Sequence, residues 1–501
     1  MSKKYLLGVD GGTEGLRAGI FDVFGTPLAY ASTSYPTQFP APSWAEQDPN
    51  DWWDALGKSV RKAISDSGIS VDQIAAMAVD TTCCSVVALD DSGNPVRPAL
   101  IWMDVRSAEQ AEQMVATGDD ALRINSNGSG PVSAEWMIPK ALWIKQNEPY
   151  NFDRAVTICE FQDYINLHLT GRLGASINNV STRWHCDYTE NGVPKSLLEK
   201  LDLGELAEKW PQDVFRLGEL VGRLTPRAAG HLGLTPDLPV VQGGADAQIG
   251  MIGLGVVKPG NLALITGSSH LHLGLSKKPF HGTGIWGTYA DALLPGLHTV
   301  EGGQTSTGSV INWLKNLFGE SDYEALNQDA SKLPPGSENL IVQEHFQGNR
   351  TPHTDPNSRG AFHGLTLKHG REHLFRAAIE GVAFGSELIL ESMRTNGFFP
   401  ESIVVSGGAT HSELWLQIHS DVSNLPLILT KNPDAPLLGC AILAAVGAEI
   451  YEDIPTAVEQ MVQFDRVIEP NSQVNAEYQP FYEAYKASYV GLRNIRNNLE
   501  N

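Results

Sequence analysis

YLLGVDGGTEGLRAGIF, residues 5–21, reads as two extended runs, 5–9 and 16–21, joined by a turn of Asp10, Gly11, Gly12 and Thr13. Small and polar residues between apolar runs mark a hairpin. A third extended run ends at Ala31 after a turn at Gly25, so the chain opens as a meander with a polar tip. Trp53, Leu56, Val60 and Ile64 then recur at three- and four-residue spacing, which predicts a helix over 51–67, capped by Asn50 and stopped by Gly68. Another extended run, 74–79, follows at once. Strands and helices in alternation predict an α/β fold with a mixed sheet.

A second stretch repeats the design. Residues 261–265 are extended, Thr266, Gly267, Ser268 and Ser269 form a small polar turn, and 270–275 are extended again. Two such units about 255 residues apart predict two homologous lobes facing each other across a cleft, residues 1–256 and 257–501. In the second half, 371–392 carries the apolar stripe of a long helix. Residues 403–405 form a short strand running into Ser406, Gly407, Gly408 and Ala409, and a helix starts near Ser412. From about Glu452 the chain is polar and helical and is expected to pack on the second lobe.

Composition removes several function classes. Lys and Arg total 36 against 58 Asp and Glu, a net charge of −22, which repels a nucleic-acid backbone. The longest apolar runs, such as 441–448, are far shorter than the roughly 18 residues of a bilayer span, so no membrane partner is expected. Five cysteines without C-x-x-C spacing suit a reducing compartment and neither a zinc site nor a disulfide framework. The apolar stretch at the start ends at Asp10, too soon for a signal peptide, so a cytoplasmic location is expected.

The glycine turns then have to be given a chemistry. Residues 8–15 could pass for a dinucleotide fingerprint, but that motif needs a helix to start at the turn, and here a strand continues. An aspartate in the loop opposes phosphates unless a cation lies between, so Asp10 is expected to hold hydrated Mg2+ beside a triphosphate. Thr13 and the amides of Gly11 and Gly12 are placed to contact the phosphoryl group. Gly57, Lys58 and Ser59 resemble the end of a P-loop but lie inside the amphipathic helix, with Trp52 where the first glycine should stand. Three glycine turns, each after an extended run, predict together an ATP site between two lobes.

Five segments give a specific resemblance: G-V-D-G-G-T at 8–13, S-W-A-E-Q-D-P-N-D-W-W at 43–53, G-G-A-D-A-Q-I-G at 243–250, G-N-R-T-P-H-T-D-P-N-S-R-G-A-F-H-G-L at 348–365 and S-G-G-A at 406–409. Together they resemble the FGGY family of carbohydrate kinases over almost the whole chain. The resemblance implies an actin-like α/β fold of two ribonuclease-H-like lobes, ATP and Mg2+ between them, and transfer of the γ-phosphoryl group to a hydroxyl of a small-molecule sugar or polyol. It implies Asp246 as general base, and the chemistry agrees: a loose, metaphosphate-like transition state needs positioning and a carboxylate to take the hydroxyl proton. The alternative for Asp246 is a turn carboxylate capping the helix that begins near Ala247. The same resemblance puts Asp10 at the metal through water, Thr13, Thr266, Gly267 and Gly308 at the phosphates, and Gly407, Gly408 and Ala409 at the adenosine. The family's E-x-x-A-L-G-A-A is replaced here by D-A-P-L-L-G-C-A at 434–441, where a proline suits a helix N-terminus.

The acceptor sugar is read from three further segments. S-A-E-W-M-I-P-K at 133–140, D-T-T-C at 80–83 and E-G-G-Q at 301–304, followed by Gly308, are similar to ribulokinase elements. They nominate Thr81, Glu135 and Glu301 as sugar contacts, with Asp246 and Arg183; ribulokinases of the arabinose pathway carry a lysine near the position of Arg183. Asp104 and Arg106 are further candidates or a surface ion pair, and Trp102 and Trp136 are candidates or core aromatics. A ketopentose such as ribulose is expected, with xylulose, a tetrulose or a pentitol as alternatives and a homodimer left open. A non-catalytic actin-like nucleotide switch would not need Glu135, Glu301 and Asp246 together.

Overall fold

The first hairpin forms from strands Tyr5–Gly11 and Gly15–Asp22, with Gly11 opposite Leu16, in a computed structural model that describes residues 4–500 apart from 129, 131, 283 and 321. Leu6, Leu7 and Val9 are fully buried on both faces of the first strand, which makes it a central strand of its sheet. It pairs in parallel with Ile74–Thr81, and the register sets Asp10 beside Asp80. Strands Leu220–Arg223 and Pro239–Ala245 extend the sheet on one side and Pro27–Ser34 closes the other, giving six strands.

The second hairpin, Asn261–Thr266 with His270–Ser276, is central to a seven-stranded sheet. It too has a parallel neighbour, Ser402–Gly407, which sets Thr266 beside Gly407. Gly287–Ala290 and His298–Gln304 lie on its antiparallel side. The polar C-terminal segment supplies more than helix: Phe464–Ile468 adds an edge strand before helix Ser472–Glu500. An exposed edge strand has little apolar content to reveal it in a sequence.

The helix expected over 51–67 spans Pro49–Ser67. Asp48, and not Asn50, is its cap, because Pro49 fits the first helical position and the Asp48 carboxylate then accepts the Asn50 amide at 2.9 Å. Gly68 stops it in the left-handed region, as expected. A further four-stranded sheet, Glu46–Gln47, Ala99–Leu100, Val86–Leu89 and Thr157–Glu160, packs with helix Met137–Asn147. Lys140 of that helix is fully buried, and its ammonium group donates to the carbonyls of Cys84 at 2.8 Å and Ile101 at 2.7 Å. It thereby ties together two turns that approach the cleft.

The lobes meet through helices Asp246–Gly253 and Ala435–Gly447, whose Ile249, Met251, Ile252, Leu437, Leu438 and Ala441 share one core. Each fully buried leucine or isoleucine there contributes about 1.5 to 3 kcal/mol. The catalytic candidate Asp246 therefore starts a helix anchored in both halves. Among the described residues no helix is long and apolar enough to cross a membrane.

Candidate active site

Three aspartates converge where the strands of the first sheet end. Asp10 is buried and accepts Arg17 Nε at 2.8 Å on one oxygen, while its other oxygen has no partner in the protein. Asp80 is fully enclosed, with one oxygen 3.3 Å from the Cys440 thiol and the other unpartnered. Burial, and then repulsion from Asp10 and Asp246, pushes the Asp80 carboxyl well above the usual range. Asp246 is half-buried and opens its helix, accepting the Ala247 amide at 2.7 Å on one oxygen. Burial, then the charge of Asp10, pushes its pKa up to about 7. A carboxylate with that pKa is an effective base near neutral pH. Ala245 stands at the cap position and no side chain caps the helix, so the capping alternative for Asp246 does not hold.

Thr13 is held from outside: its hydroxyl accepts Trp102 Nε1 at 2.8 Å and its carbonyl accepts Gln47 Nε2 at 2.8 Å. Its own proton stays available to an oxygen in the cleft. Gly12 gives its carbonyl to the Tyr35 hydroxyl. Among the described residues no group of three or more His, Cys, Asp or Glu side chains is set to hold a metal ion. The unpartnered hard oxygen of Asp10 fits Mg2+ carried chiefly by phosphates and water, the manner in which that ion is usually bound.

A second cluster gathers around Arg183. Arg183 ends helix Ile177–Arg183 and donates to both oxygens of Glu301 at 3.0 Å and to the Tyr289 hydroxyl at 3.2 Å. Its charge is the smallest of the influences on Asp246, opposing the rise caused by burial without overcoming it. Arg350 stacks on Trp286, 3.9 Å from the ring centre; burial lowers its pKa, and the charges of Glu135 and Glu301 oppose that shift. Glu135 is half-buried in the turn before helix Met137–Asn147. Thr81 is fully buried and gives its hydroxyl to the Thr82 carbonyl at 3.1 Å, so it shapes the loop from behind. Asp104 and Arg106 are not brought to the cleft. They form a buried pair at 2.6 Å, with Asp104 also accepting the Ala45 amide at 2.6 Å and Arg106 lying 3.7 Å over Trp44. They are no surface pair either. Trp136 is buried, whereas Trp102 is part-exposed and serves Thr13.

Asn178, Tyr289, Trp286 and Arg350 were not found by sequence reasoning. Asn178 accepts the Ala245 amide at 2.9 Å and donates to the Ala292 carbonyl at 2.8 Å, tying the turn before Asp246 to the second lobe. Only Arg350 lay in a quoted motif, and its charge was the one available signal.

In the second lobe a pocket of about 630 Å3 is lined by Gly267, Gly308, Gly408 and Ala409 together with Tyr323, Phe375 and Trp415. Four residues from three separate turns thus meet on one wall. Thr266 and Gly407 stand behind them: the Thr266 hydroxyl donates to Ser406 O at 2.6 Å and accepts the Ala409 amide at 3.3 Å. Gly407 has φ +96, and a Cβ there would lie 1.9 Å from Thr266 O. A Cβ on Gly308 would lie 2.3 Å from Gly267 O. Both turns require glycine to come this close.

A glycine-walled, aromatic-floored pocket in one lobe and a carboxylate cluster at the end of the other's sheet define a two-lobed nucleotide-dependent phosphotransferase. Residues 5–253 match the N-terminal domain of the FGGY family of carbohydrate kinases and residues 262–448 match its C-terminal domain. The chain is 30% identical to an FGGY carbohydrate kinase domain-containing protein of Xenopus laevis, over 96% of this chain and 95% of that one. It is 29% identical to a ribulokinase of Shouchella clausii, over 96% and 94%. The structure of a xylulose kinase from Rhodospirillum rubrum superposes with a TM-score of 0.89 at 27% identity, covering 98% of this chain and 99% of that one. The chain belongs to the FGGY family of carbohydrate kinases, has its actin-like ATPase fold, and is an ATP-dependent sugar kinase.

Proposed function

We propose that the chain phosphorylates a ketopentose, with Asp246 taking the proton of the attacking hydroxyl, and that residues 1–256 and 257–501 act as its two lobes. The observation that carries this is Arg183, which is bonded to Glu301 and Tyr289 and also acts on Asp246 through its charge. A sugar whose reacting hydroxyl meets Asp246 then finds a donor and an acceptor for its next oxygens. Each buried hydroxyl left unpartnered costs about 1 to 3 kcal/mol, so such a site discriminates by hydroxyl number. Thr13, Gly11 and Gly12 would face the phosphates from one lobe, and Gly267, Gly308, Gly408 and Ala409 would hold the nucleotide in the other. Mg2+ beside Asp10 would supply charge neutralisation for the transferring group.

Relatives named for ribulose and for xylulose both support a pentulose and do not separate the two. The test is ADP release measured with D- and L-ribulose, D-xylulose, erythrulose, ribitol and glycerol. A pentulose is expected to give the highest kcat/KM. A tetrulose or pentitol exceeding every pentulose overturns the acceptor while leaving the kinase in place.

A further inference from the structure

The C-terminal helix, Ser472–Glu500, lies outside both stretches of the chain that match the family, and it grips a loop that lies inside one of them. The amides of Asn349 and Asp355 each donate to the other's carbonyl at 2.9 Å, which closes residues 350–354 into a loop. One flank of this loop is tied to the strand that carries Glu301: the Thr351 amide donates to Gly303 O and the Thr351 hydroxyl accepts the Gly303 amide, both at 3.2 Å. The other flank is tied to the helix. His353 stacks flat on Tyr489 with 3.7 Å between ring centres, and one oxygen of Asp355 accepts the Tyr489 hydroxyl at 3.1 Å and Arg496 Nη2 at 2.9 Å. Tyr489 and Arg496 are about two turns apart, which puts them on one face of the helix.

Arg350 stands between these two anchorages. Among the described residues its guanidinium has no hydrogen bond and no ion-pair partner; it lies on the Trp286 ring and feels the charges of Glu135 and Glu301. The residue is part-exposed and none of its nitrogens is sealed from solvent, so its donors are free for a ligand. A side chain with no polar partner of its own takes its position from the backbone that carries it. The helix is one of the two supports of that backbone, and a displacement of about 1 Å in a binding group is enough to be felt in affinity.

We propose that Tyr489 and Arg496 are positioning residues: by holding the 349–355 loop they place Arg350 to donate to a hydroxyl of the acceptor. The proposal rests on the reading of the Arg183 and Glu301 cluster as the acceptor site, and it makes affinity for the sugar depend on a helix outside the matched domains.

The test is steady-state kinetics of the full-length chain with D-ribulose and D-xylulose as acceptors, on Tyr489→Ala, Tyr489→Phe, Arg496→Gln, Arg350→Gln and Glu301→Ala, and on Tyr489→Ala and Arg496→Gln each combined with Arg350→Gln. Arg350→Gln and Tyr489→Ala are each expected to raise KM for the better pentulose about fivefold or more, and Arg496→Gln about threefold, with KM for ATP kept within about twofold. Tyr489→Phe keeps the stacked ring and should keep most of the affinity. In the Arg350→Gln background the helix substitutions should raise KM no further, because residues that act through one group are not additive. Arg496→Gln carries the comparison alone if thermal unfolding shows Tyr489→Ala to be misfolded. Helix variants that leave KM for the pentulose unchanged, raise KM for ATP equally, or act as strongly without Arg350 as with it overturn the proposal, and so does Arg350→Gln without effect. In that last case a loss of affinity in Glu301→Ala keeps the acceptor reading, whereas no loss in either variant overturns that reading too.

Discussion

The two hairpins are built alike and equipped differently. Each consists of a central strand with an antiparallel partner on one side and a parallel one on the other. Where the first sets Asp10 beside Asp80, the second sets Thr266 beside Gly407. Both pairs of strands end in a glycine and a hydroxyl, Gly11 with Thr81 and Thr266 with Gly407, but one residue earlier the first lobe carries Asp10 and Asp80 where the second carries Ile265 and Ser406. Carboxylates can take a proton and attract a cation, whereas bare backbone lets a flat, anionic ligand approach without repulsion. The same strand arrangement occurs twice, with different residues near the strand ends.

The sharpest way to break this division is at the acid lobe. Asp246→Asn is expected to lower kcat by about 10² to 10⁴, the usual contribution of a general base. ATP binding, measured by fluorescence or calorimetry, should stay within a few fold of wild type, since the pocket proposed for the nucleotide is in the other lobe. Near wild-type turnover with the best sugar would remove Asp246 from the chemistry.

At the glycine lobe, Gly308→Ala puts a Cβ 2.3 Å from Gly267 O and forces two turns apart. Displacement by about 1 Å in such a wall can cost on the order of 10²-fold. The loss should be in KM for ATP and in kcat, while sugar binding measured without nucleotide is kept. Equal damage to sugar binding would show that the lobes do not divide the two ligands.

The glycine turns were legible because their signal is local: an apolar run, a small polar turn and another run are contiguous in sequence. The sugar side was less so. Arg183 and Glu301 are 118 residues apart in the chain and meet only through the packing of an N-lobe helix against a C-lobe strand. Tyr289 and Asn178 have no local pattern at all, and Asn178 works by holding the backbone on either side of the cleft. Asp104 and Arg106 show the converse failure. A D-x-R pair looks like a binding pair, and only burial beneath Trp44 reveals a structural one.

Glu301→Ala tests the sugar cluster at a smaller scale. It removes the partner of Arg183, and a five- to hundredfold fall in kcat/KM is expected for the preferred pentulose, about 1 to 3 kcal/mol. Glycerol, which presents fewer hydroxyls, should lose less. An equal loss for both acceptors would mean that Glu301 serves to hold Arg183 in place and does not read the sugar.

The finest distinction between the lobes is the charge that links them. Arg17 donates to Asp10 at 2.8 Å and to Asp434 of the second lobe at 2.7 Å, and its charge lowers the pKa of Asp246. As a base, Asp246 must be ionised, so kcat/KM should fall about tenfold per unit as pH drops below its pKa of about 7. Arg17→Gln removes a cation that favours the ionised form, and the pKa must therefore rise. The acidic limb of the profile then moves to higher pH. Arg17 is 44% exposed, so water screens its effect and the expected displacement is roughly half a unit. Activity on the alkaline plateau should change little by this route. If the limb stays in place in Arg17→Gln, the group that titrates near 7 is not Asp246, and the acid cluster of the first lobe does not set the pH at which the enzyme works.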